Sequence, residues 1–177
     1  MQRSDQVKIR LLLLSAVWIV SIVLIACSDN INRTKGVYML LDTSGTYARE
    51  LDKAQAIINY LLGTLQPGDT LAVGRIDTGS FSEKDILARV TFDQRPSKAN
   101  NQKRAFQKKI DEFVKHVESS SHTDISGGLL QAIEFLDESG AGQKYILIFS
   151  DLQEDLARGH VRDLPFQLNG FHVAALN

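Results

Sequence analysis

The side chains in this chain best placed to do chemistry carry oxygen, and they are few. Asp42, Ser44 and Thr46 alternate in the run Asp42-Thr43-Ser44-Gly45-Thr46. They follow directly on five apolar residues, Val37 to Leu41, which read as a buried strand. A carboxylate and two hydroxyls are thereby concentrated at one strand end. Two further oxygen donors occur later in matching positions: Thr123 before a helical pattern, and Asp151 after a second apolar strand. Hard divalent cations take oxygen ligands, and Mg²⁺ keeps waters and uses few carboxylates. Each residue also has a plainer role open to it. Asp42 and Ser44 suit the cap of a following helix, as do Thr123 and Asp124. Asp151 suits a solvated loop.

Elements that must position these groups alternate along the chain. After the first strand, Tyr47, Leu51, Ala54, Ile58, Leu61 and Leu65 recur at helical spacing. Pro67-Gly68-Asp69 breaks that helix. Leu71 to Ile76 reads as a second strand, and Ile86, Ala88, Val90 and Phe92 alternate as in a half-exposed third. The basic, polar segment 94–103 is expected to be a loop. Phe106, Ile110, Phe113, Val114 and Val117 mark a second helix. Residues 119–122 form another loop. Ile125, Leu129, Ile133 and Leu136 mark a third helix ending near Gly140. Tyr145 to Phe149 is a continuous apolar strand, and Phe171 to Leu176 a fifth. This alternation predicts an α/β fold with a mostly parallel sheet covered on both faces. Ligands of such sheets bind beyond the carboxyl ends of strands, where the strand order reverses. Asp42 and Asp151 both sit just after continuous apolar strands, so adjacency of the two strands would bring them to one crevice.

The front of the chain is of a different kind. Arg3, Lys8 and Arg10 precede an uncharged run from Leu11 to Ala26. That is the layout of a secretory signal. Leu24-Ile25-Ala26-Cys27 resembles a bacterial lipobox, which implies cleavage before Cys27 and lipidation of its thiol. A signal anchor is the other reading, although the run is shorter than the roughly 20 residues a bilayer takes. Residues 1–26 are therefore expected to be a lipoprotein signal, 27–35 a lipidated cysteine with a short tether, and 36–177 the folded domain. Ser28 after the cysteine resembles default routing to the outer membrane. The implied location is the cell envelope, on the periplasmic face of that membrane in a diderm host. Cys27 is the sole cysteine, so no internal disulfide or cysteine-rich zinc site can form. Three of the 20 Lys+Arg and one of the 21 Asp+Glu lie in the signal, leaving 17 and 20. A charge so near neutral offers no general attraction to nucleic acid.

Taken in chain order, the motifs resemble the von Willebrand factor A domain. Asp42-Thr43-Ser44-Gly45-Thr46 resembles its metal motif, and LQPGDTLAVGRI (65–76) its first helix-to-strand turn. HTDISGGLLQAI (122–133) resembles its second metal loop, and KYILIFSD (144–151) its fourth strand. The resemblance covers residues 36–176. It implies a Rossmann-like, mostly parallel sheet flanked by helices on both faces, with one antiparallel edge strand. That family continues past its fifth strand with a helix and another strand. Here that part is expected to be missing, leaving the fifth strand exposed or completed by a partner. The resemblance also implies a metal-ion-dependent adhesion site for Mg²⁺ or Mn²⁺. Ser44 and Thr46 would touch the cation, Thr123 would join them in at least one state, and Asp42 and Asp151 would act mainly through water. Asp124, Glu154 and Asp155 would be hydrogen-bonding or rim residues. The implied function is non-catalytic: binding of an acidic side chain of a protein partner, with neither nucleic acid nor a small-molecule substrate.

Three rivals remain in view. Asp42-Thr43-Ser44-Gly45-Thr46 also resembles the nucleophile motif of haloacid-dehalogenase phosphatases, with Asp42 attacking phosphorus. The metal site can instead be purely structural. Asp77-Thr78-Gly79-Ser80 is the string of an aspartic protease, but that chemistry takes two such carboxylates and the chain has one. It reads as a strand-to-strand turn. Ser150 precedes Asp151 without a GxSxG elbow, and His116, His122, His160 and His172 lack metalloprotease spacing. The stripe Lys98, Lys103, Arg104, Lys108, Lys109 and Lys115 reads as the wet face of a helix, with docking as the sharper alternative.

Overall fold

Residue by residue, the computed structural model describes 32–45, 50–77, 79, 82–159 and 165–176. The signal and Cys27 lie outside the described residues, as does Thr46. Residues 32–177 form one compact unit. Among the described residues no helix is long and apolar enough to cross a membrane.

The elements run β1 (Lys35–Asp42), α1 (Leu51–Thr64), β2 (Thr70–Ile76), a 3-10 turn (Glu83–Asp85), β3 (Ile86–Thr91), α2 (Pro96–His116), α3 (Ile125–Glu138), β4 (Gln143–Phe149) and β5 (Phe171–Leu176). Five strands make one sheet in the order β3-β2-β1-β4-β5. All neighbours are parallel except β2 and the edge strand β3. This is the expected α/β class, a Rossmann-like, mostly parallel sheet with one antiparallel edge. At the other edge, four of the six residues of β5 are exposed.

β1 is central and buried from Gly36 to Asp42, which is why its sequence is unbroken apolar rather than alternating. Its side chains still divide between the faces. Val37, Met39 and Leu41 pack with α1 and α2, around Leu51, Ile58, Phe106 and Ile110. Tyr38 and Leu40 pack with α3, around Ile125, Ala132 and Leu136.

Two polar devices hold these layers in register. At the Pro67-Gly68 turn, Gly68 takes φ +91°, a left-handed value that suits glycine. The buried Asp69 that follows accepts the amides of Lys35 and Gln66, each at 2.8 Å. On the other face the Tyr38 hydroxyl donates to Gln131 Oε1 at 2.8 Å, and Gln131 Nε2 donates to the Ser82 carbonyl. A Cβ on Gly74 would lie 2.5 Å from the Tyr38 oxygen, so only glycine leaves it room. Burial pushes the Tyr38 phenol well above its usual range. Tyr38→Phe is expected to lower unfolding stability by about 1–3 kcal/mol, because Gln131 loses its buried donor. Urea denaturation of the two proteins measures this.

One expected element is corrected. Segment 94–103 is no loop, because α2 begins at Pro96. Proline suits a first helical position. Ala99 is the one buried residue of those early turns, so they carry no apolar periodicity to read. Lys103 also leaves the supposed basic stripe. Its Nζ donates to the carbonyl of Leu65 at 2.5 Å, at the C-terminus of α1, and lies over the Phe92 ring. A cation there satisfies an orphan carbonyl and complements the helix dipole.

Candidate metal centre

Strand order reverses between β1 and β4, so the crevice expected of this fold opens at their carboxyl ends. Leu41 pairs with Phe149. The next residues on the two strands, Asp42 and Ser150, therefore lie side by side. Both are 1% exposed.

Asp42 is held at both oxygens. Its Oδ1 accepts the Ser44 amide at 2.8 Å and the Ser44 hydroxyl at 2.6 Å. Its Oδ2 accepts the Ser150 hydroxyl at 2.8 Å. A hydroxyl has one proton and two lone pairs, and a carboxylate only accepts. Each serine therefore spends its proton on Asp42. Its lone pairs remain for another donor or a cation.

Among the described residues Asp42 and Ser44 cap no helix. Helix α1 starts at Leu51 with Glu50 at its N-cap, and Ser44 turns back onto Asp42. At α3 the cap is Asp124, whose carboxylate accepts the Gly127 amide at 2.8 Å. Thr123 is thereby relieved of that role.

Other loops close on the same sheet end. The Thr43 hydroxyl donates to the Ile76 carbonyl at 3.1 Å, and the Ser120 amide to the Thr43 carbonyl at 3.0 Å. Ser44 and Ser120 form a parallel bridge. The Ser120 hydroxyl also reaches Asp77 at 2.5 Å. Thr123 exchanges both backbone hydrogen bonds with Asp155, at 2.8 and 2.9 Å. The loops after β1, β2 and β4 and the one before α3 thus form one hydrogen-bonded rim. It carries Asp42, Ser44, Thr123 and Asp151. Asp77 belongs to this rim and is also 3.4 Å from Arg75, so it is a turn residue and a brace between loops.

The expected outer residues separate. Asp124 is 1% exposed and takes the helix-cap and hydrogen-bonding role that the sequence left open beside rim contact. Glu154 is exposed, and its carboxylate accepts the Ser126 amide at 2.8 Å. Two acids thus meet the orphan amides of the first turn of α3. Asp155 is exposed, with His122 Nδ1 at 3.2 Å. Asp151 is exposed, and its Oδ1 accepts the Gln153 amide at 3.0 Å.

Sequence reasoning passed over Ser150 and Ser120. The signal for Ser150 was a hydroxyl at the last position of an apolar strand, next to an acid. Ser120 had none, since its role comes from bridging two loops distant in sequence.

Chemically, the donors are two carboxylates and several hydroxyls. Among the described residues no three His, Cys, Asp or Glu side chains are grouped to hold a metal ion. A hydroxyl-rich set is of another kind. Such a set would suit a hard cation of the Mg²⁺ or Mn²⁺ kind, and would leave much of its charge unneutralised.

No protein-family model matches the chain, and no curated protein matches it. One similar solved structure is the pilus adhesin SpaC from Lactobacillus rhamnosus GG in its open conformation. It has a TM-score of 0.46 and 15% identity, covering 70% of this chain and 15% of the adhesin chain. The chain therefore spans 15% of that adhesin's length.

Proposed function

We propose that residues 36–177 are a metal-dependent binding module of the von Willebrand factor A kind, held in the cell envelope by a lipid on Cys27. In this reading Ser44 and Thr46 hold Mg²⁺ or Mn²⁺ directly, Thr123 joins them, and Asp42 and Asp151 act mainly through water. When bound, the cation supplies a positive centre that an acidic side chain of a protein partner can join. The module performs no catalysis.

The observation that carries this reading is the arrangement around Asp42 at the point where strand order reverses. Ser44 and Ser150 aim their protons at one buried carboxylate, which directs the Ser44 lone pairs away from it. The same arrangement weighs against the phosphatase alternative. A nucleophilic carboxylate must be reached by its substrate. Here Asp42 is 1% exposed and already accepts three hydrogen bonds.

The test is capture of synthetic peptides bearing a single glutamate by the immobilised protein, with Mg²⁺ or with chelator. Capture is expected only with Mg²⁺, and peptides with glutamine instead should pass through. Thr123→Ala and Asp151→Ala should weaken capture about tenfold while the protein stays folded, as loss of a supporting oxygen does. Metal binding without any capture would assign the metal a structural role. Phosphoester turnover abolished by Asp42→Asn would establish the hydrolase reading instead.

A further inference from the structure

Leu152 has φ +64°, the only left-handed non-glycine residue among the described ones. Its side chain is 50% exposed, so no core packing holds it there. Leucine disfavours this conformation, and such strain persists only where surrounding contacts over-determine it. The contact is in the backbone. The Leu152 amide donates to Ser150 Oγ at 3.0 Å, and that hydroxyl donates to Asp42 Oδ2 at 2.8 Å. That amide occupies one lone pair of Ser150. The single proton of Ser150 is then directed to Asp42.

We propose that Ser150 is a positioning residue of the metal site. It fixes the Asp42 carboxylate, and the Leu152 amide holds Ser150. The inference rests on the metal reading above and adds a residue to it. Carboxylates near a metal work only when held, and removal of the groups that orient them costs about 10–100-fold in affinity. Ser150 touches no partner in this scheme and acts through Asp42. The exposed side chain of Leu152 takes no part.

Mn²⁺ titration of the full chain in detergent, read by the resonance of the free ion, tests this. Circular dichroism checks folding. Ser150→Ala should bind Mn²⁺ about 10–100-fold more weakly than wild type. Ser150→Thr keeps the hydroxyl and should bind within about threefold of wild type. Leu152→Gly keeps the conformation and the amide, so its affinity should be unchanged. A role confined to stability would move melting temperatures and leave all three affinities alike. If wild type binds Mn²⁺ and Asp42→Ala does not, while Ser150→Ala binds as wild type, the positioning role is wrong and the metal site stands. Wild type without Mn²⁺ binding overturns both.

Discussion

Asp42→Ala is expected to weaken Mn²⁺ or Mg²⁺ binding by about 100-fold or more, the largest effect of any single substitution in the domain. Three donors converge on that carboxylate, from Ser44 N, Ser44 Oγ and Ser150 Oγ. Its removal leaves both hydroxyls free to rotate, so their lone pairs lose direction as well. Asp42→Asn separates charge from shape. The amide keeps the volume but turns one acceptor into a donor, which then faces Ser44 or Ser150. Its metal affinity should fall nearly as far, with less loss of stability than in the alanine variant. Calorimetry supplies the affinities. Thermal unfolding gives an independent reading, because metal that binds only the folded state stabilises it by about 2.7 kcal/mol at 100 times its dissociation constant. For a domain of this size that is a rise of roughly 5–15 °C, absent in Asp42→Ala. Equal affinities in wild type and both variants would reduce the loops to backbone braces.

The legibility of this site in the sequence was uneven, for physical reasons. β1 was readable because a strand buried on both faces carries a continuous apolar run, β4 because its half-buried and buried residues from Tyr145 to Phe149 are apolar throughout, and the acid soon after each run stands out. Their adjacency was not readable, since it depends on where the crossover helices set them; the pairing of Leu41 with Phe149 provides it. The early turns of α2 were misread because Ala99 is a poor apolar signal, and a proline at a helix start looks like a loop. Asp124 illustrates the opposite limit. Capping and rim contact call for the same side chain at the same position, and burial alone separates them. Ser150 was passed over because a serine at a strand end has no pattern of its own. Its meaning lies in the carboxylate one strand away.

Cys27→Ser is expected to abolish membrane attachment through a lipid altogether. Lipid transfer takes a thiol, and Cys27 is the only one in the chain, so no second residue can substitute. The wild-type chain, expressed in a bacterium that processes lipoproteins, should sediment with membranes and incorporate labelled palmitate. Its mature mass should match a chain beginning at residue 27 plus lipid. The serine variant should take no label and keep residues 1–26, because the cut before the cysteine follows lipidation. Its apolar leader can still hold it at the membrane, so label and mass decide the matter and sedimentation alone does not. In the lipid-anchored reading the tether is short. Only residues 28–31 precede the compact unit, and four residues reach at most about 14 Å, so the domain would work close to the bilayer and its partner would come there too. A mature soluble protein beginning elsewhere than Cys27 would remove the anchor and leave the metal site to be judged alone.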